Sequence, residues 1–277
     1  MKNARTKMIF MALASLFFVS SCKKKNDPKP AFTETKISLT THKLASFSAI
    51  KNSKYLVVFE SGLGNDHTVW SNNAFASQIS SITDILMYDR AGYGKSENGP
   101  GPRNIDRLRS ELENVIDKFS NGRKVILIGH SLGGMIIRDY AIKNPFKTAA
   151  LLFVDPSHEF YNHPTQAEED ALYEASKNAS GANFGGTLEA REFIEDLQYT
   201  GTLPSLPDVP VVVLTSMKVD ASTSSSIRQT WYNAHELLKN GVTDFTHIGT
   251  TNSGHFIMID EPGLVVNNLK LLISKLP

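Results

Sequence analysis

From Ile37 onward, short apolar runs rich in β-branched residues alternate with longer segments whose apolar residues recur every three or four positions. A short continuous apolar run suits a strand buried on both faces, and three-to-four spacing suits a helix with one apolar side. Tyr55 to Phe59, Ile85 to Tyr88, Val125 to Ile128 and Ala149 to Val154 are runs of the first kind and predict buried strands. Ahead of them, Lys36 to Thr40 and Lys43 to Ile50, joined by a tight turn near Thr41 and His42, predict an edge hairpin. Between Arg103 and Phe119, residues Ile105, Leu108, Leu112, Val115 and Ile116 fall on one helical side with charges opposite. Leu132 to Lys143 repeats that pattern and is stopped near Pro145. This order predicts an α/β fold: a doubly wound, mostly parallel sheet covered by helices.

The alternation breaks after Val154 for about fifty residues, too long for a structureless loop in one domain. Gln166 to Lys177 and Thr187 to Tyr199 carry helical patterns on either side of Gly181 to Gly186. They predict an inserted helical cap spanning about 157–207. The alternation then resumes with a strand from Val211 to Thr215, a helix from Ser224 to Lys239, a strand from Phe245 to Ile248 and a closing helix from Pro262 to Ser274.

The first thirty-one residues follow other rules. Lys2, Arg5 and Lys7 precede an apolar run from Met8 to Val19, and Ser20 and Ser21 lead into Cys22, which is the layout of an export signal. Val19-Ser20-Ser21-Cys22 resembles a bacterial lipobox, which implies cleavage before Cys22 and lipid on that cysteine. Lys23 to Pro30 is charged and proline-bearing, the composition of a tether. The expected organisation is a signal at 1–21, a tether at 22–31 and a body at 32–277, exported and held to a membrane of the bacterial cell envelope. Cys22 is the single cysteine, so an exported body has no internal disulfide. Past the signal no stretch is long and apolar enough to span a bilayer as a helix. The 277 residues carry a net charge of +1 and 41% hydrophobic residues, which allows a large core and gives no electrostatic reason to bind nucleic acid. A small-molecule substrate is the expected partner.

Gly129-His130-Ser131-Leu132-Gly133 matches G-x-S-x-G directly after an apolar strand and at the start of a helix. A serine hydroxyl is a poor nucleophile, and a sharp strand-to-helix turn lifts it into the open beside a base. Ser131 is therefore the candidate nucleophile. From about Tyr55 to the C-terminus the chain resembles the α/β-hydrolase superfamily. Phe59-Glu60-Ser61-Gly62-Leu63-Gly64 stands where such enzymes carry part of the oxyanion hole. Tyr88-Asp89-Arg90-Ala91-Gly92-Tyr93-Gly94-Lys95-Ser96 is similar to the turn after their next strand, and Ser253-Gly254-His255 to their histidine loop.

The resemblance implies roles residue by residue. Of the 8 histidines, His255 alone lies after the last strand and before the closing helix, so it is the expected general base. The triad acid has two candidates. Asp220 is the first carboxylate after Val211 to Thr215 and is favoured by chain order, although its spacing is about one residue longer than the common pattern. Asp155, directly after the strand that follows the nucleophile helix, is the alternative. Leu132 and Leu63 are the expected oxyanion N–H donors, with Ser61 where a histidine is common. Asp89 and Arg90 are read as mainly architectural. His158 and His163 near Asp155 lack a metal-ligand frame, and neither a metal nor a cofactor is expected. The function implied is a serine hydrolase acting on an ester or related acyl compound. Amide cleavage of the proline iminopeptidase kind stays open, as does a binding protein that keeps the scaffold without turnover. Dehalogenase and epoxide hydrolase chemistry is disfavoured, because those members carry aspartate where this chain has Ser131.

Overall fold

The computed structural model describes residues 32–71, 75–161 and 163–277. The expected export signal, Cys22 and the expected tether lie outside the described residues. Eight strands, β1 (Thr33–Ser38), β2 (Lys43–Ala49), β3 (Leu56–Glu60), β4 (Asp84–Tyr88), β5 (Val125–His130), β6 (Thr148–Val154), β7 (Val211–Ser216) and β8 (Phe245–Thr250), form one sheet. Their order is β1-β2-β4-β3-β5-β6-β7-β8; β1 and β2 run antiparallel at the edge, and every pairing from β4 to β8 is parallel. The order reverses between β3 and β5. In open parallel sheets ligands bind beyond the carboxyl ends of the strands near such a switch point.

Neighbouring side chains along each central strand enter opposite cores, as the two-residue period of a strand requires. Leu56, Val58, Leu86, Tyr88, Val125 and Leu127 share one core with helices α3 (Ile105–Ser120) and α4 (Leu132–Lys143). Val57, Phe59, Ile85, Met87, Ile126 and Ile128 share the other. That second face is covered by α1 (Thr68–Ser71), α2 (Phe75–Ser80), α9 (Ile257–Asp260) and α10 (Pro262–Lys275). The helix expected from Ser224 is α8 (Ser225–Glu236), capped by the Ser224 hydroxyl and closed by a 3₁₀ turn at Leu237–Lys239. The short helices α1, α2 and α9 had no counterpart in the sequence pattern; four to six residues are too few to show a helical period.

Three helices fill the insert between β6 and β7: α5 (Gln166–Ser180), α6 (Gly185–Ala190) and α7 (Phe193–Thr200). The single helix expected from Thr187 to Tyr199 is thus broken after Ala190. The break is stabilised from two sides. Glu189 turns inward and is buried on Arg90, and Glu169 accepts the free N–H of Ile194 in the first turn of α7 at 2.8 Å.

Asp196 pins α7 to the core shared by α3 and α4, because its Oδ1 accepts the first N–H of α3, that of Ile105, at 2.8 Å. Its Oδ2 is buried with no hydrogen-bond partner among the described residues. Burial pushes its carboxyl up to about 8 against the opposing effect of the Ile105 N–H. The folded value lies above the unfolded one, so its contribution is complete in acid and is lost as pH rises through about 8. We expect Asp196→Asn, which keeps the acceptor without a charge, to melt progressively above the parent as pH rises from about 5 to about 9. A melting difference that stays constant across that range overturns the assignment.

Candidate active site

Ser131 sits between the last residue of β5 and the first of α4 with φ of +52°, a left-handed backbone that costs free energy in a non-glycine residue. The turn is held from both sides: the Ser131 N–H donates to the Val154 carbonyl at 3.3 Å, and its carbonyl accepts from Gly134 and Ser157. Gly129 and Gly133 make this approach possible. A Cβ on Gly129 would lie 2.6 Å from the Gly133 oxygen, and one on Gly133 would lie 2.4 Å from the Glu60 oxygen. Strand, elbow and helix therefore need both glycines of G-x-S-x-G. Leu132 opens α4, so its N–H points out of the helix N-terminus with no intrahelical acceptor.

The histidine loop folds onto the same end of the sheet. Ser216 Oγ donates to the Ser253 carbonyl at 2.7 Å, and Asp260 accepts from the Gly254 N–H at 3.0 Å. His130, just before Ser131, has its Nε2 3.1 Å from the carbonyl of His255, so that nitrogen carries the hydrogen. Burial and then the neighbouring His255 hold His130 well below the usual imidazole range, which keeps it neutral. The two rings lie 4.5 Å apart.

The carboxylate that reaches His255 is Asp155, at 2.7 Å from Nδ1, and not Asp220, which chain order favoured. Asp220 is exposed after β7 and is consumed locally: its Oδ1 accepts from the N–H and hydroxyl of Ser222 and from the N–H of Thr223. Those donors hold its carboxyl below the usual range and close a turn. Asp155 is almost wholly buried, with φ of +44°. Its Oδ1 accepts from the Ser216 N–H at 2.9 Å and from Trp231 Nε1 at 2.7 Å, which leaves Oδ2 for His255. Burial alone would raise this carboxyl, but His255 and the other donors outweigh it and hold it below its ordinary value. An ionised Asp155 fixes the hydrogen of His255 on Nδ1 and leaves the Nε2 lone pair outward. Trp231 and Ser216 escaped the sequence reading; neither belongs to a motif, and only the fold brings α8 and the end of β7 to Asp155.

The loop after β3 lies against the elbow. A Cβ on Gly62 would stand 3.1 Å from Ser131 Cβ, so Leu63 follows a residue packed against Ser131. Ser61, in the place where a histidine was the common residue, is buried and accepts from Trp70 Nε1 at 2.9 Å. Behind the loop lies a buried charge cluster. Arg90 reaches Glu60 at 2.9 Å and Glu189 of α6 at 2.8 Å. Burial, only partly offset by Arg90 and the Tyr88 hydroxyl, pushes Glu60 up to about 7. Asp89 plays an architectural part, accepting from the His67 and Lys95 N–H groups at 2.9 Å each. Asp66, His67 and Asp89 come within 4.8 Å of one another, but each is taken up in bonds of this kind.

A family model for the alpha/beta hydrolase fold matches residues 55–270. The chain belongs to this family. Among its relatives, the uncharacterized protein YqjL of Bacillus subtilis is 25% identical over 218 residues, 77% of this chain and 81% of its own length. A human (lyso)-N-acylphosphatidylethanolamine lipase is 28% identical over 109 residues, which is 38% of this chain and 31% of the lipase. The thermophilic esterase of Thermogutta terrifontis superposes with a TM-score of 0.69 at 16% identity, over 88% of this chain and 98% of that one, a likeness of fold alone.

Proposed function

We propose that this α/β-hydrolase is a serine hydrolase that cleaves an ester or related acyl compound, with Ser131 as nucleophile, His255 as general base and Asp155 as the acid that orients it. The observation that carries the reading is the 2.7 Å bond from His255 to a buried Asp155 at the strand end next to a serine on a left-handed elbow. In the first half-reaction His255 Nε2 takes the Ser131 proton as Oγ bonds to the carbonyl carbon. The electron pair moves to the carbonyl oxygen, then returns as the leaving alcohol departs with the proton from His255. Water repeats the sequence on the acyl-enzyme and releases the acid. The N–H groups of Leu132 and Leu63 receive the oxyanion, an interaction for which one lost donor typically costs about 10²–10³ in kcat. Gly64 does not compete for this role, since its N–H is held by Tyr93 Oη at 3.0 Å. The thermophilic esterase and the human lipase that the chain resembles carry names of the same reaction class.

A fluorophosphonate probe followed by peptide mapping tests the reading. Label on Ser131 is expected; folded protein that takes no label there overturns it and favours a ligand-binding role. p-Nitrophenyl esters of graded acyl length, run beside proline-containing amides, then separate ester from amide cleavage.

The export signal and Cys22 remain part of the proposal: a lipoprotein of the cell envelope, attached through Cys22. No helix among the described residues is long and apolar enough to cross a membrane. Cys22→Ser is therefore expected to move the protein out of the detergent phase in phase partitioning. Partitioning identical to the parent would overturn the lipid anchor.

A further inference from the structure

Arg90 has five N–H hydrogens, and every one is engaged. Nε and Nη2 take the two oxygens of Glu189 at 2.8 and 2.9 Å. Nη1 takes Glu60 Oε1 at 2.9 Å and the Ser61 carbonyl at 2.6 Å, and Nη2 takes the Gly62 carbonyl at 2.9 Å. Tyr93 completes the set: its hydroxyl donates to Glu189 Oε2 at 2.6 Å and accepts the Gly64 N–H at 3.0 Å. Glu189 belongs to the inserted α6, and Arg90 and Tyr93 to the turn after β4. One buried carboxylate from the cap thus holds the two side chains that fix the 61–64 loop at three backbone groups.

The direction of those bonds matters more than their number. In a trans peptide the C=O of one residue and the N–H of the next point to opposite sides of the same plane. With the Gly62 carbonyl turned onto Arg90, the Leu63 N–H must turn away from Arg90. Gly62 itself packs on the nucleophile, its position for a Cβ lying 3.1 Å from Ser131 Cβ. If the guanidinium were released, the peptide between Gly62 and Leu63 could rotate and take the N–H with it. A buried guanidinium stays in place only while its carboxylate partners are present. Glu189 supplies two of the five acceptors and Glu60 one.

We propose that Glu189 of the cap and Arg90 are positioning residues that aim the Leu63 N–H at the oxyanion, so that cap docking and oxyanion stabilisation are one event. This rests on the serine-hydrolase reading above. Neither residue touches the reacting atoms; both act through the loop. The cap is then required for turnover even by substrates too small to contact it.

The test is Glu189→Gln, which keeps size but sets an amide NH₂ against donors of Arg90 and Tyr93. With a short p-nitrophenyl ester, kcat is expected to fall about 10- to 100-fold, part of the loss for a whole oxyanion donor, while KM changes little. Affinity for a trifluoromethyl ketone, whose adduct places an oxyanion in the hole, should weaken in parallel; affinity for the product acid should not. Tyr93→Phe removes a single hydroxyl and is expected to move the same quantities in the same direction by less, so it carries the test if Glu189→Gln does not fold. A folded variant with parental kcat and ketone affinity overturns the inference, as does a loss of kcat with unchanged ketone affinity. If the parent takes no fluorophosphonate on Ser131, the serine-hydrolase reading falls and this inference with it. If the parent labels and turns over while both variants match it, only the inference falls.

Discussion

Ser131→Ala is expected to lower ester turnover by at least about four orders of magnitude while the protein stays folded. On the proposed serine-hydrolase reading, the hydroxyl supplies the bond that splits the reaction into two steps, and its loss leaves no nucleophile on the elbow. Stability should change by no more than about 1 kcal/mol, because the side chain is partly exposed and makes no cap bond to α4. Alanine at φ of +52° is strained about as serine is, so the turn itself is not relieved. His255→Ala should cost a similar factor, and the double variant should be little worse than either single one, since the pair acts as one proton-transfer unit. Initial rates with a p-nitrophenyl ester, beside thermal melting of each variant, provide the measurement. A folded Ser131→Ala protein that turned over at the parental rate would sink the enzymatic assignment altogether.

The parts of this molecule that were legible in the sequence are those set by local pattern. The five strands β3 to β7 announce themselves, because a strand buried on both faces must be apolar over most of its length, as Leu56 to Phe59 and Val125 to Ile128 are. The exposed edge strand β1 runs from Thr33 to Ser38 and not from Lys36 to Thr40, because it has no such apolar run to mark its start. Ser131 and its two glycines were legible for a similar reason: the turn is local, and its steric demands fall on residues two positions away. His255 was singled out from its place between the last strand and the closing helix, and the structure sets it 2.7 Å from Asp155. Long-range charge pairing was not legible. Arg90 and Glu189 are 99 residues apart, and nothing in either neighbourhood marks the other as its partner. The break between α6 and α7 is stabilised by that pairing and by Glu169 on the Ile194 N–H, so the helical period of Thr187 to Tyr199 could not reveal it. The carboxylate that meets His255 is not the one that chain order favoured, for a related cause. β6 and β7 are neighbours in the sheet, so carboxylates after either strand start close to the histidine loop. The choice is made by Ser222 and Thr223, which capture Asp220, and by Trp231, which holds Asp155.

That choice leads to the sharpest expectation about a single side chain. Asp155→Asn should reduce kcat by about 10⁴, the size seen when a triad carboxylate is replaced by its amide, with the fold intact. The structure says why an isosteric change can cost so much. The asparagine carbonyl would still accept from the Ser216 N–H and Trp231 Nε1 as Oδ1 does now, at 2.9 and 2.7 Å. The other terminus, however, becomes an NH₂ set 2.7 Å from His255 Nδ1. Two donors cannot share that bond, so the histidine must accept through Nδ1 and carry its hydrogen on Nε2. The nitrogen that should receive the Ser131 proton is then already protonated. Backbone strain adds no confusion, because asparagine tolerates a φ of +44° at least as well as aspartate. Asp220→Asn is the matched control: the amide oxygen can still accept from Ser222 and Thr223, and stability should stay within about 0.5 kcal/mol with turnover unchanged. Steady-state rates of the two variants decide the matter. A crippled Asp220→Asn beside a nearly normal Asp155→Asn would move the acid back to the loop after β7 and show that the contact with His255 is not the one used in turnover.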